Sequence, residues 1–215
     1  MSVWHKIGSQ LRQPQGWMGL AVGHAMRWLN AKPNRLAIAG LHIRPSDHIL
    51  ELGFGPGEAI ASMSQLASLG KIYGIDASPA MLTQARWRNR RAVARGQVSL
   101  QRGEFSSFTF ADESLDKILA VNVVYFWDKA SAVLGECRRV LRPGGRISIY
   151  ATDAYSMLRW KFAGSETHTL YTANDLRAAL LDGGFASDDI HIEQVNLPAG
   201  IKGLLAIGQK SALSA

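Results

Sequence analysis

The chain is short of the residues that would commit it to several familiar kinds of protein. Its 215 residues include one cysteine, Cys137, so no disulfide can form within it. Such sparing use of thiols suits a reducing compartment. No apolar run approaches the length needed to cross a bilayer, and Met1 to Gln13 lacks the apolar stretch of a secretory signal. The six histidines are scattered without metal-ligand spacing. Neither a P-loop nor a G-x-S-x-G elbow occurs, and no repeat or low-complexity tract is visible. Charged residues make up only 19% against 47% hydrophobic, a balance that supports a packed core and argues against disorder. The expectation is a cytoplasmic protein of essentially one domain. Its one excess is positive charge: +7 with a pI near 9.8, which favours anionic surfaces without saying which.

What is present is alternation. His48–Phe54 reads as a buried strand, followed by a helix from about Glu58 to Ser68. Lys71–Asp76 is a second strand, and Ser78–Ala94 a helix with Pro79 in its first turn. Strands are expected at Val98–Arg102 and Leu115–Tyr125, then a helix over Ala130–Leu141, where Val133, Leu134, Cys137, Val140 and Leu141 repeat at helical spacing. Pro143-Gly144-Gly145 turns the chain into a strand at Arg146–Ala151. Thr172 and Asp175 mark a helix start, and strands near Asp189–Leu197 and Leu204–Gln209 close the chain. This order implies a doubly wound, mainly parallel seven-stranded α/β sheet with an antiparallel addition at its edge. A helical preface precedes it: Trp17, Leu20, Ala21, His24 and Trp28 share one face, and a short helix is expected from Pro33 to Gly40. Residues 1–40 are therefore read as a helical cover and 41–215 as the ligand-binding domain.

The most informative stretch is Glu51-Leu-Gly53-Phe-Gly55-Pro-Gly57-Glu58, where the first strand gives way to the first helix. Glycines there let the backbone turn and let a ligand approach without a Cβ in the way. The spacing is G-x-G-x-G, and Glu58 holds the place of the third glycine of a dinucleotide-binding loop. A pyrophosphate needs bare N–H groups at that helix start. Glu51 and Glu58 would each repel it by roughly a kcal/mol or more at short range. The loop therefore suits a cationic ligand better than a phosphorylated one. Asp76 ends the second strand, where a carboxylate can accept both hydroxyls of a ribose or cap the following helix.

Taken together, Ile49–Gly57 (ILELGFGPG), Gly74–Leu82 (GIDASPAML), Glu104-Phe105, Phe110–Asp116, Arg139–Arg146, Leu170–Leu176 and Gly184-Phe185 resemble the class I S-adenosylmethionine (SAM) dependent methyltransferases. The likeness runs from about Leu41 to Lys210 and implies a Rossmann-like methyltransferase fold. SAM carries a sulfonium and an ammonium and no phosphate, in keeping with the acids of the loop. By that resemblance Glu51, Gly53, Gly55 and Gly57 surround the methionine part of SAM. Asp76 holds the ribose, with Ala77 and Met81 beside the adenine. Glu104, where the family more often has Asp, takes the adenine amino group, Phe105 packs near the ring, and Asn122 touches the methionine group.

Methyl transfer from a sulfonium needs alignment and exclusion of water, and a base only where the acceptor must lose a proton. Tyr125 and His24 are the expected catalytic residues, ahead of Trp17, Trp127, Tyr150, Asp153, Tyr155 and His168; no metal is expected. Cys137 lies on an apolar helix face and reads as core. Asn122-Val-Val-Tyr125 has the outline of an N-P-P-Y box without its prolines and is read as coincidence. Arg86, Arg88, Arg90, Arg91 and Arg95 flank a buried helix stripe as a solvated face does, so nucleic acid is an unlikely partner. The indoles and cations of Trp4, Lys6, Arg12, Trp17, Arg27, Trp28, Lys32 and Arg35 allow contact with an anionic membrane surface. Three functions remain open: methylation of an O or N atom of a small molecule, methylation of a lipid or nucleic acid, and SAM binding without turnover. A monomer or homodimer is expected.

Overall fold

The structure is a computed structural model that describes residues 30–105, 109–159 and 169–212. The expected preface face around His24, and His168, lie outside the described residues. The first described element is a helix, α1, over residues 30–41. Asn30 is already helical, so Pro33 lies within α1 and does not begin it.

Then follow β1 (His48–Leu52), α2 (Glu58–Leu66), β2 (Lys71–Asp76), α3 (Pro79–Arg88), α4 (Arg90–Ala94), β3 (Val98–Arg102) and β4 (Leu115–Val121). After a 3-10 turn at Val124–Phe126 come α5 (Ala130–Val140), β5 (Leu141–Thr152), α6 (Ala154–Met157), α7 (Ala173–Asp182), β6 (Ile190–Asn196) and β7 (Lys202–Gln209). Seven strands form one sheet in the order β3-β2-β1-β4-β5-β7-β6. Strands β1 to β5 pair in parallel, while β7 runs antiparallel to both β5 and β6. The antiparallel strand thus sits one place in from the edge.

Side-chain parity winds the sheet on both faces. Ile49 of β1 and Leu119 and Val121 of β4 join Ala37 and Leu41 of α1, Ile60 and Met63 of α2, and Met81 and Ala85 of α3. Leu50 and Leu52, with Ile118 and Ala120, face the other way onto Val133, Leu134 and Cys137 of α5 and Leu176 and Leu180 of α7. Alternate residues pointing to opposite faces is what a strand buried on both sides requires. The capping box foreseen at Thr172 is present, with Thr172 Oγ1 accepting from Asp175 N and Asp175 Oδ2 from Thr172 N.

Three boundaries differ from the expectation for identifiable reasons. The helix expected over Ser78–Ala94 is two, because Asn89 leaves helical geometry (ψ 16°) and its amide is tied to the carbonyls of Gly57 and Ala85. Strand β4 stops at Val121 because Asn122 takes a left-handed backbone, φ 53°. Strand β5 begins at Leu141 and takes in Pro143–Gly145, with a register shift against β4 between Leu115 and Lys117.

Candidate active site

The sheet order reverses between β1 and β4, the two strands that flank the crevice at their carboxyl ends. There Gly53 takes φ 70°, and a Cβ on it would lie 2.6 Å from Val123 Cγ2. Gly57 caps α2 in a left-handed conformation (φ 79°) and packs against Ala85 and Asn89, on the side of α3. The bend opens a cleft at the carboxyl ends of β1 and β4.

Of the residues expected at the site, Glu51, Gly53, Gly55, Asp76, Ala77, Met81, Phe105 and Asn122 all line this cleft. Gly57 shapes the loop from behind and is not on its wall. Glu104 is exposed and also off the wall. Glu58, the second acid of the loop, is also on the wall, and the cleft has further walls that no sequence pattern marked: Asn30 and Asn34 from α1, Phe54 and Pro56 from the loop, and Val121, Val123 and Phe126 in and after β4.

Asp76 is nearly buried. Its Oδ2 accepts from Gly55 N at 2.9 Å and its Oδ1 from Ser78 N at 2.8 Å. The cap of α3 is Ser78, whose hydroxyl accepts from Met81 N, so Asp76 is not that cap. Burial pushes the Asp76 carboxyl up to about 6, against the pull of those two N–H groups. Glu51 is 3% exposed, and its Oε2 has no hydrogen-bond partner. Burial and the nearby Asp76 raise its carboxyl well above the ordinary range. Among the described lining residues are three carboxylates and no lysine, arginine or histidine. Glu58 is neutralised from outside the wall by Arg88, 2.8 Å away, which also donates to Pro56 O. A buried carboxylate with an unoccupied acceptor fits a ligand that brings positive charge.

Tyr125 is buried, with its hydroxyl donating to Asn122 Oδ1 at 2.9 Å and accepting a short bond from Thr152 N. Burial raises its hydroxyl beyond the ordinary phenol range. Trp127 and Tyr150 are core residues, Asp153 caps α6, and Tyr155 is exposed beside it. Cys137 is buried with its thiol pushed up by desolvation. Among the described residues no cluster could hold a metal ion, and no helix is long and apolar enough to cross a membrane.

Fold and cleft together define a Rossmann-like domain with an open cleft at its first strand–loop–helix turn. Residues 50–149 match the family described as Methyltransferase domain. An uncharacterized methyltransferase of Bacillus subtilis, YdaC, is 33% identical over 130 residues, which cover 60% of this chain and 70% of that protein. A demethylmenaquinone methyltransferase of Symbiobacterium thermophilum is 30% identical over 64% of this chain, but the match spans only about half of that relative (53%). A chain from the solved complex of the Haloferax volcanii Trm112 methyltransferase activator with a methyltransferase superposes with a TM-score of 0.72. It shares 22% identity over 91% of this chain and 95% of its own, a likeness of fold. The chain belongs to the methyltransferase domain family, and it is a class I SAM-dependent methyltransferase.

Proposed function

We propose that the protein transfers the methyl group of SAM to an O or N atom of a small-molecule acceptor, and that the cleft at Gly53–Gly55 holds the donor. The observation that carries this reading is Glu51. Its carboxylate is buried, lacks a partner on Oε2, and faces a cleft with no cation among its described walls. An ammonium completes it, whereas a phosphate would meet Glu51 and Asp76, neither of which has a cation on the described wall.

In this reading Glu51 receives the ammonium of the donor. Asp76 accepts the ribose hydroxyls through lone pairs left over from its bonds to Gly55 N and Ser78 N, since each carboxylate oxygen accepts twice. Ala77, Met81 and Phe105 flank the adenine; Glu104, off the cleft wall, is not needed for the assignment. The sulfonium supplies an activated methyl group, displaced in line by the acceptor atom. The protein's own part is to orient both ends and to exclude water. Residues 1–40 act as cover, supported by Asn30 and Asn34 of α1 on the cleft wall. Tyr125 positions Asn122 and does not take the proton, because its hydroxyl is engaged and hard to ionise. For acceptors that must lose a proton the proposed base is His24, carried on the segment that leads into Asn30.

Calorimetric titration with SAM and with NAD, followed by transfer of labelled methyl from SAM into metabolite, lipid and RNA fractions, tests the proposal. SAM binding with label in the metabolite fraction supports it. NAD binding in place of SAM ends the assignment of the cleft, and label confined to lipid or RNA ends the choice of acceptor.

A further inference from the structure

The amino-acid end of the donor is a zwitterion, yet the cleft meets it with acids and asparagines and no cation among its described walls. A chain of hydrogen bonds shows which asparagine is prepared for the negative end. It starts at Thr152 N, at the end of β5, which donates to the Tyr125 hydroxyl. That hydroxyl in turn donates to Asn122 Oδ1 at 2.9 Å. Asn122 is thereby oriented, and its Nδ2 donates to Asn30 Oδ1 at 2.8 Å. Each bond runs the same way, from Thr152 N to Tyr125, from Tyr125 to Asn122 and from Asn122 to Asn30. With Oδ1 engaged by Asn122, Asn30, which lines the cleft, has its Nδ2, a pure donor, to offer a ligand. Asn34, four residues on and so on the same side of α1, lines the cleft beside it.

Position agrees with this polarity. Leu52 of β1 is in register with Ala120 of β4, so Glu51 and Asn122 stand at the same end of adjacent strands. Asn30 lies over that end through its bond to Asn122. A lysine or arginine there would pair with Glu51 and compete with the donor's ammonium; a neutral amide does not.

We infer that Asn30 receives the α-carboxylate of the methionine part of the donor, that Asn34 assists it, and that the Thr152–Tyr125–Asn122 relay holds its amide in the donating orientation. The inference rests on the cleft being the SAM site, as proposed above.

Calorimetry with two ligands separates the two ideas: S-adenosylhomocysteine, which has the amino-acid end, and 5′-methylthioadenosine, which lacks it. Asn30→Asp replaces a donor by a repelling carboxylate. It should weaken S-adenosylhomocysteine by about 10-fold or more and leave methylthioadenosine within about twofold. Tyr125→Phe frees the Asn122 amide to turn and should weaken S-adenosylhomocysteine alone by about 3-fold to 5-fold. Methylthioadenosine affinity reports that each variant is folded around an intact nucleoside site. Equal loss of both ligands in Asn30→Asp would make Asn30 a packing element of the cover and overturn the inference. No change in either ligand would place the carboxylate elsewhere and also overturn it. Failure of the unaltered protein to bind either ligand would instead bring down the assignment of the cleft.

Discussion

The two ends of strands β1 and β4 hold their charges under opposite rules. At the amino end, Asp116 accepts from His48 N and is gripped by Arg142 Nη1 at 2.7 Å. Lys117 lies 4.0 Å from Asp47, which in turn accepts from Arg44 N. Burial lowers the Lys117 ammonium while Asp47 pulls the other way. At the carboxyl end, Glu51 and Asp76 are buried with no cation on the described cleft wall, and each carboxyl is raised by desolvation. The amino end is electrostatically complete by itself. The carboxyl end bears a desolvation cost that a cationic ligand would relieve, and the proposed function places the ligand at that end.

Four measurements break or sharpen the contrast. Asp76→Ala should weaken SAM binding by about 1.5 to 3 kcal/mol, roughly 10- to 150-fold by calorimetry, and an unchanged affinity would move the pocket elsewhere. Glu51→Gln should weaken SAM by about 10-fold while raising resistance to urea at pH 8, because a desolvated charge is removed. A variant that loses both affinity and stability would contradict the contrast. Asp116→Ala, at the other end, should lower the unfolding free energy by about 1 to 2 kcal/mol and leave SAM affinity unaltered.

The smallest effect concerns pH. The folded Asp76 carboxyl, at about 6, lies above its ordinary value of 3.8, so between those values the folded state binds a proton that the unfolded chain does not. Its contribution to stability is therefore greatest at the acid side of that window and is lost as pH rises through about 6. SAM affinity, which needs the ionised form, should run the other way and fall several-fold between pH 7.5 and 5.5. Titration of wild type against Asp76→Asn isolates this group, and parallel trends in stability and affinity would refute the assignment.

Much of this was legible in the sequence because it is local. The contiguous loop Glu51–Glu58 carries its own turn chemistry and its own acids, and strand β3 runs over Val98–Arg102 as read. The stretch His48–Phe54 already read as a buried strand, and β1 is buried at Ile49, Leu50, Glu51 and Leu52. What was not legible depends on partners distant in the chain. Asn89 looks like any helix residue until the carbonyl of Gly57, 32 residues earlier, claims its amide. Asn30 reaches the cleft through Asn122, 92 residues later, and no local pattern marks it. Tyr125 ends an apolar run as a candidate base would, and only the approach of Thr152 from β5 shows its hydroxyl to be engaged.

The place of β7 has a consequence for biosynthesis. Every described residue on the cleft wall is translated by Phe126, yet β5 gains its outer neighbour only when Lys202–Gln209, the last strand, slots between it and β6. A nascent chain stalled before Lys202 would hold every described cleft-lining side chain on a sheet whose β5 edge is still bare. Strand β6, which pairs with β7 alone, has no place in the sheet until β7 arrives.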